Sequence, residues 1–134
     1  MSSPLAPSMS PDTQFFWDGL REHRLLIQRC TSCGALRHPP RPMCPACNEL
    51  GWDTVEASGR GTVHSVVAPQ HPQFPFLDYP YLVALVDLEE GTRLLTNLVD
   101  VAADDAEIGM AVEVTYVEFD NGVVLHQFRP AVTP

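Results

Sequence analysis

Four cysteines stand in two pairs, Cys30-Thr31-Ser32-Cys33 and Cys44-Pro45-Ala46-Cys47, and the chain holds no other cysteine. Each C-x-x-C turn sets two sulfurs on one side of a tight loop. The ten residues between the pairs let all four thiolates converge tetrahedrally on one ion. Gly34 after the first pair and Pro45 inside the second suit such turns, because glycine relieves backbone crowding and proline presets φ. Zinc is the expected occupant in a structural role, since four protein ligands leave no coordination position for water or substrate. Spacing alone leaves three other readings open. Disulfides require an oxidising compartment, and Met1 to Pro11 carries neither the basic start nor the apolar core of a signal peptide. A redox C-x-x-C does not account for two pairs in register, and sulfur-only tetrahedral ligation also suits iron.

Other residues offer less chemistry. His23, His38, His64, His71 and His126 are scattered, and none has a nucleophile beside it in sequence. His71 with Asp78 is one pair that folding could bring together. Gly59-Arg60-Gly61 lacks the third glycine of a dinucleotide fingerprint and opens a strand. The expectation is therefore a chain without catalytic residues of its own.

Charge narrows the partners. The net charge is −9, lysine is absent, and five of the eight arginines precede residue 43. From Met43 onward Arg60, Arg93 and Arg129 face fourteen acids, a balance that repels a phosphate backbone, so nucleic acid is not an expected partner. No apolar run reaches the roughly 20 residues of a membrane span, and the expected location is the cytoplasm, without membrane association. A chain of 134 residues with 45% hydrophobic content can bury one core with a small metal module packed beside it.

These residues need elements to position them. The first ten, rich in Ser, Pro and Met, are expected to be a disordered tail. A helix is expected from Pro11 to about Arg24, capped by Ser10, with Pro11 in its first turn and Asp12 near the positive end of its dipole. Phe15, Phe16 and Trp17 lie about 100° apart around that helix, so they cover a wide arc that either packs on the rest of the chain or meets a partner. Leu25 to Gln28 and Ala35 to His38 read as the strands of a zinc ribbon. Pro39, Pro40 and Pro42 fix an extended loop expected to carry Arg37 and Arg41 outward, toward a phosphate or a partner carboxylate.

Strand periodicity takes over after the ribbon. Gly59 to Val67 has the glycine entry and β-branched content of a bent strand, Tyr81 to Leu88 is a near-continuous apolar run, and further strands are expected at Arg93 to Val99, Met110 to Phe119 and Val123 to Phe128. Five short antiparallel strands, with a loop over Asp100 to Gly109, indicate an OB-fold barrel. The chain thus reads as mainly β: tail 1–10, helix and four-cysteine zinc ribbon 11–50, five-stranded OB-fold 51–134. The loop Ala68 to Pro80 is too apolar for a mere connector. Four prolines stiffen it, and Phe74, Phe76, Leu77 and Tyr79 either lid the barrel end or contact a partner or ligand.

The order of these motifs resembles one family. Phe16-Trp17 and Leu20 on a helix, Leu26-Ile27-Gln28-Arg29-Cys30 with Cys33-Gly34, Pro39-Pro40-Arg41, Cys44-Pro45-Ala46-Cys47, Gly59-Arg60-Gly61-Thr62-Val63 and Ile108 to Val114 are similar to domain-of-unknown-function family thirty-five over nearly everything after Ser10. The resemblance implies a helix, a rubredoxin-like zinc ribbon and an OB-fold, with zinc on Cys30, Cys33, Cys44 and Cys47. It also implies an accessory subunit of a thiolase-like enzyme that handles acyl-CoA. Family assemblies include acetoacetyl-CoA thiolase with hydroxymethylglutaryl-CoA synthase, phloroglucinol acyltransferases and steroid side-chain retro-aldolases. Arginine to the exclusion of lysine fits GC-rich coding and favours the last, with a lipid-transfer-protein-type thiolase homologue as partner and, in fused members, a hydratase domain. Two other classes stay in view: a nucleic-acid-binding OB module, and an independent acyl-CoA binder using Arg37 and Arg41 on phosphates and the aromatic loop on the acyl chain.

Overall fold

The computed structural model describes residues 4–75 and 79–131. Its elements are helix α1 (Gln14–Arg21), strands β1 (Leu26–Cys30), β2 (Leu36–Arg37), β3 (Trp52–Glu56), β4 (Arg60–Val67), β5 (Leu82–Leu88) and β6 (Arg93–Leu98), a 3-10 turn (Ala103–Asp105), and strands β7 (Ala111–Glu118) and β8 (Val124–Pro130).

The helix is shorter than its sequence pattern indicates. Residues 11–13 form a turn in which the Ser10 carbonyl accepts from the Thr13 and Gln14 amides at 3.0 and 2.9 Å. Thr13 occupies the N-cap position, so Ser10 organises the entry through its backbone and does not cap the helix with its hydroxyl. At the other end His23 takes a left-handed φ of 57°, and the Arg24 amide turns back to the Gly19 carbonyl at 2.9 Å. That closing turn stops the helix at Arg21 and aims the chain into β1. Residues 4–10 form neither helix nor strand, and the Pro4 carbonyl accepts from Asn121 Nδ2 at 2.9 Å.

Two sheets follow. The ribbon sheet has the order β2-β1-β3, so β3 pairs with the ribbon strands. Leu26 to Cys30 pair with Glu56 to Trp52 in antiparallel register. The second sheet closes into a barrel, β4-β5-β6-β8-β7. Its neighbours run antiparallel except β6 and β8, which meet in parallel through Leu98 and Phe128. The expected five-stranded barrel is present, then, with one parallel seam in place of a wholly antiparallel wall. The expected bend in β4 is a register shift between Val63 and Ser65. Just before it, a Cβ on Gly61 would meet the Asp87 carbonyl oxygen at 2.6 Å, so this crossing toward β5 requires glycine.

One core spans both modules. Phe16, Leu20, Leu25 and Ile27 from the helix and ribbon join Val63, Val86, Leu94 and Phe128 from the barrel in a single buried cluster. Each such side chain contributes roughly 1.5 to 3 kcal/mol through burial. α1 is therefore the wedge that locks the ribbon onto the barrel. Among the described residues, no helix is long and apolar enough to cross a membrane.

Candidate metal centre and docking residues

β1 delivers Cys30 at its last position, and the turns around Cys33, Cys44 and Cys47 bring the other sulfurs to it. Cys30 Sγ lies 3.6 Å from Cys47 Sγ, Cys33 Sγ lies 3.6 Å from Cys44 Sγ, and all four fall within 4.8 Å of one another. Zinc–sulfur bonds of about 2.3 Å in a tetrahedron require sulfur separations of about 3.8 Å, and this cluster matches that spacing. All four cysteines are free, not disulfide-bonded.

The two turns share a design. The Gly34 amide donates to the Cys30 carbonyl at 3.0 Å and the Asn48 amide to the Cys44 carbonyl at 2.8 Å. Both residues sit one place beyond the second cysteine of their pair, with φ of 79° and 64°. The second turn thus uses Asn48 in the left-handed position, a role that attention to Pro45 overlooks. Asparagine tolerates that conformation better than most side chains, and its place mirrors that of Gly34.

Electrostatics fit a cation. Backbone amides, led by that of Cys33, hold the Cys30 thiol down to about 6, and those of Cys47 and Ala46 lower Cys44. At Cys47 the Glu49 amide favours the thiolate, yet burial and the three neighbouring sulfurs outweigh it and push the thiol up to about 12. Four thiolates this close repel one another, and a divalent cation removes that conflict. These residues therefore suit zinc held in a closed, structural site.

The remaining candidates separate into buried and exposed sets. Arg37 is 6% exposed. Its Nε donates to Gln28 Oε1 at 2.9 Å and its Nη2 to the Arg41 carbonyl at 2.9 Å, while the Arg41 amide also donates to Gln28 Oε1 at 2.8 Å. Arg37 thus pins the proline loop from inside; it does not project outward as the prolines lead one to expect, whereas Arg41 is exposed. Gln28, buried at the centre of this network, gives no sequence signal because both its partners are non-local.

Phe16 is a core residue, 4% exposed, with His38 at 5.2 Å and His126 at 5.7 Å between ring centroids. Its ring is not part of a free surface. Trp17 is half-buried and joins Met9, Arg21 and Val124 around a cavity of about 180 Å³. Phe15 is half-buried and packs on Trp52 at 4.9 Å. In the proline-rich loop the Tyr79 hydroxyl accepts from the Phe74 amide at 3.0 Å and donates to the Pro72 carbonyl at 3.2 Å, so Tyr79 buttresses the loop, while Phe74 is 43% exposed. Phe76 and Asp78 lie outside the described residues, and the suggested pairing of His71 with Asp78 lies there with them.

Comparison with known proteins resolves the family. A model described as "ChsH2, rubredoxin-like zinc ribbon domain" matches residues 17–52, and one described as "ChsH2, C-terminal OB-fold domain" matches residues 54–117. A DUF35 domain-containing scaffold protein of Methanothermobacter thermautotrophicus is 35% identical over 115 residues, which cover 81% of this chain and 86% of that protein. The chain belongs to the DUF35 family. Within this family it is 50% identical to a probable enoyl-CoA hydratase alpha subunit of Thermomonospora curvata, over 94% of this chain and 40% of that protein. It is 44% identical to a 3-oxo-4,17-pregnadiene-20-carboxyl-CoA hydratase alpha subunit of Mycobacterium tuberculosis, over 87% of this chain and 37% of that protein. The chain spans about two fifths of the length of these two relatives. Among solved structures, a chain of the Ltp2-ChsH2(DUF35) aldolase superposes with a TM-score of 0.90 at 50% identity, covering 94% of this chain and 99% of that one.

Proposed function

We propose that this DUF35 chain is a non-catalytic accessory subunit of a thiolase-like enzyme of the lipid-transfer-protein type, which cleaves a steroid side chain held as an acyl-CoA. The observation that carries the reading is the 50% identity to, and 99% coverage of, a chain from the Ltp2-ChsH2(DUF35) aldolase. In a retro-aldol step the bond between the α and β carbons of a β-hydroxyacyl-CoA breaks. The hydroxyl proton leaves, the β carbon becomes a ketone, and the α carbon takes up a proton to release a short acyl-CoA. The partner supplies the groups for that chemistry, and this chain supplies a rigid zinc-held ribbon and a barrel with docking residues, among them the half-buried Phe15 and the exposed Arg41 and Phe74. The reaction belongs in the cytoplasm, and the similarity to hydratase alpha subunits supports a hydratase domain as a neighbour in the same assembly.

A second reading has its own support. The archaeal DUF35 scaffold protein is covered over 86% of its length, which favours a scaffold for a thiolase or acyltransferase in which no side chain is cleaved. Co-expression with the Ltp2-type protein of the same host distinguishes the two. Near-stoichiometric co-purification, with retro-aldol cleavage by the pair well above that of either protein alone, is the expected result. A pair that forms but does not cleave favours the scaffold, and no pair at all overturns both.

A further inference from the structure

The two edges of the ribbon sheet are finished differently. β2 is two residues long and runs at once into His38, Pro39 and Pro40, whose rings leave no donor for further pairing. β3 is five residues long, Trp52–Glu56, about 17 Å of extended backbone, and contains no proline or lysine. Among the described residues no strand pairs with its outer side.

The register states which groups face outward. The Ala57 amide donates to the Leu25 carbonyl at 2.8 Å and the Thr31 amide to the Gly51 carbonyl at 3.2 Å. Alternation along an antiparallel ladder then directs the backbone of Val55 and Asp53 to Ile27 and Arg29 of β1. The amides and carbonyls of Trp52, Thr54 and Glu56 point the other way. On β1 the same phase holds, because the Cys30 amide turns toward β2 and reaches the Ala35 carbonyl at 2.9 Å.

Side chains leave this edge open. Carboxylates normally guard an exposed edge, but Asp53 is drawn across to Arg29 by bonds of 2.8 and 2.7 Å and Glu56 to Arg24 at 2.8 Å. What remains beside the edge is apolar: Leu50 is 62% and Trp52 36% exposed, with Phe15 against the Trp52 ring. A second copy of this chain is a poor occupant, since two chains that each carry a net charge of −9 repel one another on approach.

We propose that β3 is a docking edge on which an extended segment of the thiolase-like partner, with basic residues and an apolar anchor for Trp52 and Leu50, adds as a fourth strand of the ribbon sheet. The proposal rests on the accessory-subunit reading above. Main-chain pairing at Trp52, Thr54 and Glu56 gives the contact its length and register, and opposite charge gives it its choice of partner.

Amide hydrogen exchange, measured by NMR on the zinc-loaded chain alone and in complex with the Ltp2-type protein of its host, tests this directly. Exchange at Trp52, Thr54 and Glu56 should slow at least tenfold on complex formation. Thr54→Pro removes an outward donor without touching the β1 ladder, so zinc content and circular dichroism should hold while affinity for the partner falls by at least about tenfold. A complex in which those three amides exchange as in the free chain overturns the proposal, as does wild-type affinity in a folded Thr54→Pro. If that variant fails to fold, exchange in the wild type decides. A free chain that dimerises with the same amides protected overturns the choice of occupant, and absence of any complex removes the accessory-subunit reading together with this one.

Discussion

Gly34 and Asn48 occupy equivalent places in the two metal turns, each one residue past a second cysteine and each donating its amide to the carbonyl of the first, at 3.0 and 2.8 Å. Nothing lies within 4 Å of where a Gly34 Cβ would stand, so a substitution there meets only its own backbone. Gly34→Ala should cost roughly 1 to 2 kcal/mol from the left-handed conformation alone. Asn48→Gly should be close to neutral and Asn48→Val should cost more than either. Denaturant unfolding of the zinc-loaded variants checks the order, and equal stability of Asn48→Val and Asn48→Gly would show that the turn does not require φ above zero.

Zinc removal should unfold the ribbon and loosen the barrel with it, because Phe16, Leu25 and Ile27 join the barrel's core cluster. Binding energy at a closed thiolate site is folding energy, about 10 to 16 kcal/mol in small zinc peptides. The expected stoichiometry is one zinc per chain by elemental analysis. A chelator should lower the melting temperature of the whole chain in one transition. Two separated transitions, with the barrel unaffected, would contradict the shared core.

Gln28 serves two donors with one oxygen. Gln28→Ala strands the Arg41 amide and leaves Arg37 Nε with only the Arg41 carbonyl, at 3.1 Å, so it should destabilise by about 1 to 3 kcal/mol. Gln28→Glu keeps the acceptor and adds an opposite charge to Arg37, and should cost less than the alanine variant. Unfolding free energies of the two variants decide, and an alanine variant within experimental error of wild type would show that water satisfies the loop.

The sequence made some of this legible and hid the rest for physical reasons. Cysteine spacing reveals the metal site because ligation needs the same short turn wherever it occurs. The barrel strands show through as apolar, β-branched runs bounded by turn residues, as in Leu82 to Leu88, where every second side chain is buried and those between are half-buried. β3 escapes notice because Trp52 to Glu56 are all exposed or half-buried, so no alternation marks the strand. Arg37 looks like a surface cation because its acceptors, Gln28 Oε1 and the Arg41 carbonyl, are set by how the ribbon closes. The parallel seam of β6 with β8 is a property of barrel closure, which no local pattern encodes.

His126 ties barrel stability to pH. Its Nδ1 lies 2.8 Å from Thr96 Oγ1, the edge of Phe16 packs beside it, and His38 stands on another side of that ring. Burial first, then the nearby charge of His38, lowers the imidazole to about 4, while in the unfolded chain it titrates near 6.5. Between those values the unfolded chain binds a proton that the folded chain refuses, so stability present above pH of about 6.5 is lost as pH falls toward about 4. The gap corresponds to roughly 3 kcal/mol. Burial lowers His38 as well, which acts with the same sign. Because acid also weakens thiolate ligation, the informative quantity is the difference between wild type and His126→Gln, unfolded in denaturant across this range at saturating zinc. The variant should be the weaker protein at pH 7 and should lose less stability on acidification. Parallel curves for the two proteins would mean that His126 takes up its proton as readily in the folded chain as in the unfolded one, with Thr96 Oγ1 accepting a hydrogen bond from the protonated ring.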